Sequence, residues 1–142
     1  MPHKIVFPVR PDRDTDWAVS CLQRIQQREP IVVALLSVQT PFDGNVRMFF
    51  SDEEIHAFHD EDAERELAPV RRKLDAAGIP YQAHIVVGCS AKAIAKFARE
   101  HHASQIVLGP VRGRGLSEMV LGSLTRQIEH LMESAGSRCE VL

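Results

Sequence analysis

Apolar positions along the chain alternate between two periods. Lys4 to Val9 is a short run rich in β-branched residues, stopped by Arg10-Pro11-Asp12, and it predicts a first strand. Ala18, Cys21, Leu22 and Ile25 then recur at helical spacing to about Arg28, with Thr15 placed as the N-cap. Glu29-Pro30 ends that helix, and Ile31 to Val38 follows as a nearly unbroken apolar run, the pattern of a strand covered on both faces. Residues 39–50 read as a loop, with Gln39-Thr40-Pro41 and Asp43-Gly44 as turn signals. Ser51 and Glu54 form a capping-box pattern ahead of Ile55, Phe58, Ala63, Leu67, Val70 and Leu74. Pro69 lies inside that periodicity and predicts a kink or a split, and Gly78 predicts the stop.

The second half continues the alternation. Tyr81 to Val87 predicts a strand; Ala91 to His101 predicts a helix capped by Ser90, with Ile94, Phe97 and Ala98 inward. Gln105 to Leu108 is a fourth strand, residues 109–121 a glycine-rich loop, and Leu124, Ile128 and Leu131 mark a last helix before a short strand over Arg138 to Leu142. Strand–helix alternation at this spacing predicts an α/β fold: an open, mostly parallel sheet with helices on both faces. Ligands in such sheets bind beyond the carboxyl ends of the strands. The loops to inspect are therefore 10–16, 39–44, 88–90 and 109–123.

Composition narrows the classes further. The 142 residues suit one domain over 1–142, and 44% hydrophobic with 25% charged residues excludes disorder. The longest apolar runs are far shorter than the ~20 residues that span a bilayer, and the N-terminus does not read as a signal peptide. A net charge of -2 removes the general electrostatic case for nucleic-acid binding. Cys21, Cys89 and Cys139 are odd in number and widely spaced, the usage of reduced thiols in a cytoplasmic protein.

The segment from Gly109 to Ser123 carries the strongest chemical signal. Its glycines let backbone approach a ligand, and Gly122-Ser123 at a helix start offers free N–H groups to a phosphate. Arg112 and Arg114 add cationic charge. The plain alternative is an Arg/Gly surface loop whose glycines only shape the turn. Neither a Walker loop nor a dinucleotide fingerprint is present.

Gly109-x2, a nine-residue gap and Gly122-Ser123 resemble the Gly-x2-Gly-x9-Gly-[Ser/Thr] signature of the universal stress protein family. Ile5 to Val9, Val32 to Val38, Gly88 to Phe97, Gln105 to Gly109 and Cys139 to Leu142 also resemble family segments, so the likeness spans nearly the whole chain. The resemblance implies an adenine nucleotide alpha hydrolase-like fold: five parallel strands in the order 3-2-1-4-5. It also implies binding of ATP or another adenine nucleotide, with no metal beyond nucleotide-bound Mg. A homodimer through the C-terminal edge strand is implied as well, beside a protein partner of unknown identity. Two positions depart from the pattern. Arg112 stands where the middle glycine belongs, with Gly113 one residue late, and Arg10 stands where ATP-binding members carry an aspartate. Losing one contact to a charged group is worth ~1.5–3 kcal/mol, a roughly tenfold to more than hundredfold loss of affinity.

The expected nucleotide or anion site therefore comprises Arg10, Val38, Gly109, Arg112, Gly113, Arg114, Gly122 and Ser123. First and fourth strands are neighbours in the implied order, so Arg10, Arg112 and Arg114 are expected to converge on a compact polyanion, unless Asp12 and Asp14 neutralise Arg10. No residue pair qualifies as a general base with a positioned nucleophile. The functional expectation is a non-catalytic stress-response or signalling module with a weak, altered or lost nucleotide site; the alternative is an ATP-binding member with slow hydrolysis.

Other features read as structural. His56 and His59 lie in segment 51–77, which holds nine of the 19 acidic residues, the mark of a solvated helix face more than of a metal site. Cys89 precedes a helix start, where a dipole lowers a thiol's pKa; the plain alternative, and the one expected, is a small buried or half-buried thiol. Trp17 is expected against the sheet edge or loop 39–50. Met48-Phe49-Phe50 should find cover, under the following helix in the first instance or else against a partner.

Overall fold

The computed structural model describes residues 2–112 and 122–142 of the chain. Five strands, β1 (His3–Pro8), β2 (Ile31–Gln39), β3 (Tyr81–Val87), β4 (Gln105–Ile106) and β5 (Glu140–Val141), alternate with helices α1 (Thr15–Arg28), α2 (Gly44–Arg47), α3 (Asp52–Ala77), α4 (Ser90–Glu100) and α5 (Gly122–Ser134). All pairings between these strands are parallel, and the sheet order is β3-β2-β1-β4-β5. The fold class and strand order expected from the sequence are those observed.

The period-two alternation of the central strands sorts the core into two layers. Ile5, Phe7, Val33 and Leu35 face α1 and α3, where Leu22, Leu67 and Leu74 meet them. Val6, Ala34 and Leu36 face the other way, onto Ile94 and Ala98 of α4 and Ile128 and Met132 of α5. Both faces of β1 and β2 are covered, which is why neither strand shows a polar face in the sequence.

Local signals hold with a few displacements. Ser51 and Glu54 close the capping box of α3, each side chain bonding the other's backbone N–H at 3.1 Å. The N-cap of α1 is Asp14, whose carboxylate accepts from the Trp17 N–H at 3.0 Å; Thr15 is the first helical residue. Pro69 neither splits nor ends α3, which runs on to Ala77. It sits on the exposed side, where the carbonyl that its ring deprives of a donor can take one from water. Residues 44–47 of the expected loop make one turn of helix, capped by Asp43 at 2.9 Å from the Val46 N–H. The Met48-Phe49-Phe50 triplet after it is not covered by α3 as expected: Met48 and Phe49 are each 81% exposed and Phe50 is half exposed.

Candidate functional site

β1 and β4 lie side by side, so the loops that leave their carboxyl ends must meet. Beyond β1 the chain stays in register for one more bond, from Val9 N–H to the Leu36 carbonyl at 2.8 Å, then turns through residues 10–14 into α1. Beyond β4 it reaches Gly109, which adopts φ +79°. The two loops are stitched together: Asp14 N–H donates to the Pro110 carbonyl at 3.0 Å, and Arg112 N–H to the Asp12 carbonyl at 2.7 Å. Arg13 and Val111 form the antiparallel bridge between them.

Arg13 is the pin through this seam. It is buried, and its guanidinium donates to the Gly109 carbonyl at 2.7 Å and to the Thr125 hydroxyl of α5 at 3.1 Å. Burial lowers its pKa, with Asp12 opposing and Arg10 adding to the shift. Gly109 lies close beneath: a Cβ there would stand 3.2 Å from the Asp14 carbonyl oxygen and 3.2 Å from the Trp17 ring. Trp17 therefore packs under the seam, at the end of β4.

Arg10 points to the other side of the β1 end. Its Nε donates to Asp12 at 3.1 Å and a terminal nitrogen donates to the Ser90 hydroxyl at 3.1 Å. Asp12 is thus the partner of Arg10, whereas Asp14 serves α1. Ser90 is drawn away from capping: the N-cap of α4 is Cys89, which makes no side-chain cap bond.

A cavity of about 360 Å³ opens beside Arg10, between the β1 loop and α3. Four cationic side chains line it, Arg10, Arg65, Lys73 and Arg112, with Val9, Thr15, Pro69 and the carboxylate of Glu66. Lys73 pairs with Asp16 at 2.8 Å and Arg65 with Asp62 at 3.5 Å, both at the surface. Such exposed pairs are worth ~0–1 kcal/mol and yield readily to a more highly charged ligand. Burial raises the pKa of Glu66, opposed by a hydrogen bond from Ser37. Ser37 donates to Glu66 at 3.3 Å and accepts from Gln39 at 3.1 Å; the Gln39 carbonyl in turn faces His59 Nδ1 at 3.3 Å. A buried polar chain thus runs from the cavity wall along β2 under α3.

The family model for universal stress proteins matches residues 1–133. The chain belongs to the universal stress protein family. Solved structures agree on the fold. The hypothetical protein MJ0577 superposes with a TM-score of 0.71 at 22% identity, over 100% of this chain and 96% of that one. A universal stress protein from Archaeoglobus fulgidus, solved in complex with dAMP, superposes at 0.61 with 18% identity over 99% and 95%. A universal stress protein family protein from Arabidopsis thaliana, solved with AMP bound, superposes at 0.58 with 16% identity over 99% and 90%. Comparison with curated proteins returns no match.

Within this family fold, the expected site residues fall into three groups. Arg10 and Arg112 line one cavity, and Gly109 adjoins it through the seam. Val38 packs with the cluster under α4 and α5, on the opposite sheet face from the cavity. Gly122 opens α5 and Ser123 follows it, while Gly113 and Arg114 lie outside the described residues. Arg13, Arg65, Glu66 and Lys73 were missed by sequence reasoning. Arg65, Pro69 and Lys73 sit at four-residue intervals on α3 and so share one helix stripe, a signal hidden by the helix's many other charges. Ser37, the one hydroxyl in the apolar run of β2, marked the polar chain.

The remaining candidates resolve as packing. His56 faces solvent beside Asp60 at 3.4 Å, and His59 is buried with Phe42 stacked on its ring at 5.0 Å. Among the described residues no group of three or more metal-ligating side chains forms, and no helix is long and apolar enough to cross a membrane. His84 and His101 both pack on Phe97. Cys89 is exposed, against expectation, because Ala91 and not the capping residue turns inward. Cys139 differs: burial, with Glu140 nearby, pushes its pKa up to about 11. Its thiolate fraction at pH 8 is then roughly a hundredfold below that of an ordinary thiol. Timed alkylation at pH 8 with mass-spectrometric readout is expected to modify Cys89 first and Cys139 far more slowly; similar rates at both would contradict this burial. The raised pKa also has a sign for stability. The contribution is complete below the unfolded value near 9 and is lost as pH rises through 11.

Proposed function

We propose that this protein is a non-catalytic, single-domain universal stress protein of the cytoplasm whose site takes an adenine nucleotide chiefly by its phosphates. The observation that carries the reading is the cavity beside β1, where Arg10, Arg65, Lys73 and Arg112 surround a single carboxylate among the described lining residues. Four cations about a space of some 360 Å³ suit a compact polyanion. Arg10 occupies the place of an aspartate that helps hold the base in ATP-binding relatives, so base recognition is weak. The nucleotides solved with relatives from Archaeoglobus fulgidus and Arabidopsis thaliana support adenine nucleotides as the ligand class. Gly109, Gly122 and Ser123 are proposed to approach the phosphates by backbone, with Gly113 and Arg114 between them in the sequence and the Val38 backbone at the crest of β2. Two copies are proposed to pair through the edge strand β5, whose outer backbone groups need a partner.

Calorimetric titration tests the ligand class. Affinity is expected to follow phosphate number, ATP above AMP, with adenosine not bound and the ATP affinity falling as salt rises. Adenosine binding as tightly as ATP would overturn the reading. Glu66→Gln removes the carboxylate facing those cations and is expected to raise ATP affinity several-fold at pH 7; an unchanged affinity would place the phosphates elsewhere.

A further inference from the structure

The end of the molecule formed by α2 and the start of α3 carries a second concave surface. A mainly apolar cavity of about 520 Å³ lies there, walled by Phe42, Val46, Phe50, Ile55 and Phe58. Of its walls, Phe50 and Phe58 are each about half exposed, and Met48 and Phe49, which precede Phe50 in the chain, are each 81% exposed. Exposed Val87 on the edge strand β3 borders the adjoining depression. Isolated surface apolar residues need no explanation, but aromatic side chains gathered around a hollow do.

The charged residues lining this hollow are both acidic, while Arg47 lines only the adjoining depression. Residues 50–62 contain six acidic side chains and no lysine or arginine, and Glu54 and Glu61 stand in the cavity wall itself. Two copies placed face to face would bring two such acidic rims together, which is repulsive. An anionic lipid surface would meet the same repulsion. A cationic amphipathic segment satisfies both halves of the surface, its apolar side chains entering the hollow and its lysines or arginines meeting the acidic rim.

We infer that this surface is a docking site for a basic amphipathic helix of a partner protein, with Phe50 and Phe58 as apolar anchors and Glu54 and Glu61 as the charged rim. Among the described residues it shares no lining residue with the cavity beside Arg10.

The test uses a fluorescent Leu/Lys peptide of about 18 residues, five helical turns long, titrated with the full chain by anisotropy. A peptide of the same composition, rearranged to have no apolar face, is the control. The amphipathic peptide is expected to bind about tenfold or more tightly than the control. Phe50→Ser, at a half-exposed wall position outside both core clusters, is expected to weaken binding about tenfold with an unchanged melting temperature. Glu54→Gln with Glu61→Gln is expected to weaken it similarly and to flatten its salt dependence. Equal binding of the two peptides would reduce the surface to bulk charge attraction and overturn the inference. So would an unchanged affinity of the Phe50 variant. Sedimentation showing that this variant dissociates a dimer present in the wild type would assign the surface to a second copy and overturn it as well.

Discussion

Replacing Arg13 by alanine is expected to lower the stability of the fold by about 3 kcal/mol, more than any other polar substitution at the site. The guanidinium is the only described side chain bonded both to the Gly109 carbonyl and to the Thr125 hydroxyl, at 2.7 and 3.1 Å. It thereby ties the β1 loop, the end of β4 and α5 at one point. Hydrogen bonds to a charged group are worth ~1.5–3 kcal/mol each, and their loss leaves a buried carbonyl and hydroxyl to be satisfied. Part of that loss is offset because the arginine no longer has to be desolvated, the same burial that lowers its pKa. A net effect of about 3 kcal/mol corresponds to a fall in Tm of roughly 10 °C for a chain of this size. Arg13→Lys is expected to recover less than half, since an ammonium lacks the fork that reaches two acceptors. Thermal melts of the three proteins check this; a loss under about 1 kcal/mol for Arg13→Ala would mean that the seam is held by its backbone bonds alone.

Gly109→Ala is the second large effect, at about 2–3 kcal/mol. Two costs combine. An L-residue in the left-handed region costs ~1–2 kcal/mol, and Gly109 sits at φ +79°. The new Cβ would also stand 3.2 Å from the Asp14 carbonyl oxygen, which accepts the Ala18 N–H and is held in the first turn of α1. Trp17, at the same distance, closes the other side. Gly136 provides the control: its φ is +69°, and a Cβ there meets nothing within 4 Å. Gly136→Ala should therefore show the conformational cost alone, ~1–2 kcal/mol. Chemical denaturation of both variants reads the difference, and equal losses would mean that the loop shifts freely away from α1.

The sheet could be read from the chain because its signals are local and redundant. The doubly covered runs of β1 and β2, the Ser51–Glu54 box and the Ile94/Phe97/Ala98 stripe each specify one element without help from the rest. The seam could not be read that way. Arg13 looks like one more charge in Arg10-Pro-Asp-Arg-Asp, and only the meeting of two loops about 96 residues apart in the chain makes it a buried donor. Asp12 and Asp14 were equivalent partners for Arg10 until α1 claimed Asp14 as its cap. The α3 side of the cavity escaped notice for a related reason: which face of a highly charged helix turns toward the strand ends is decided by packing, not by its own periodicity. The apolar triplet after α2 failed differently, since hydrophobicity alone predicts cover but does not say whose.

Which end of a nucleotide lies against Arg10 decides the central claim, and a crystal structure of the protein grown with ATP shows it directly. The account predicts the phosphates within hydrogen-bond distance of the Arg10 and Arg112 guanidinium groups, with the adenine making few polar contacts. Adenine seated against Arg10, with the triphosphate clear of all four cavity cations, would contradict it.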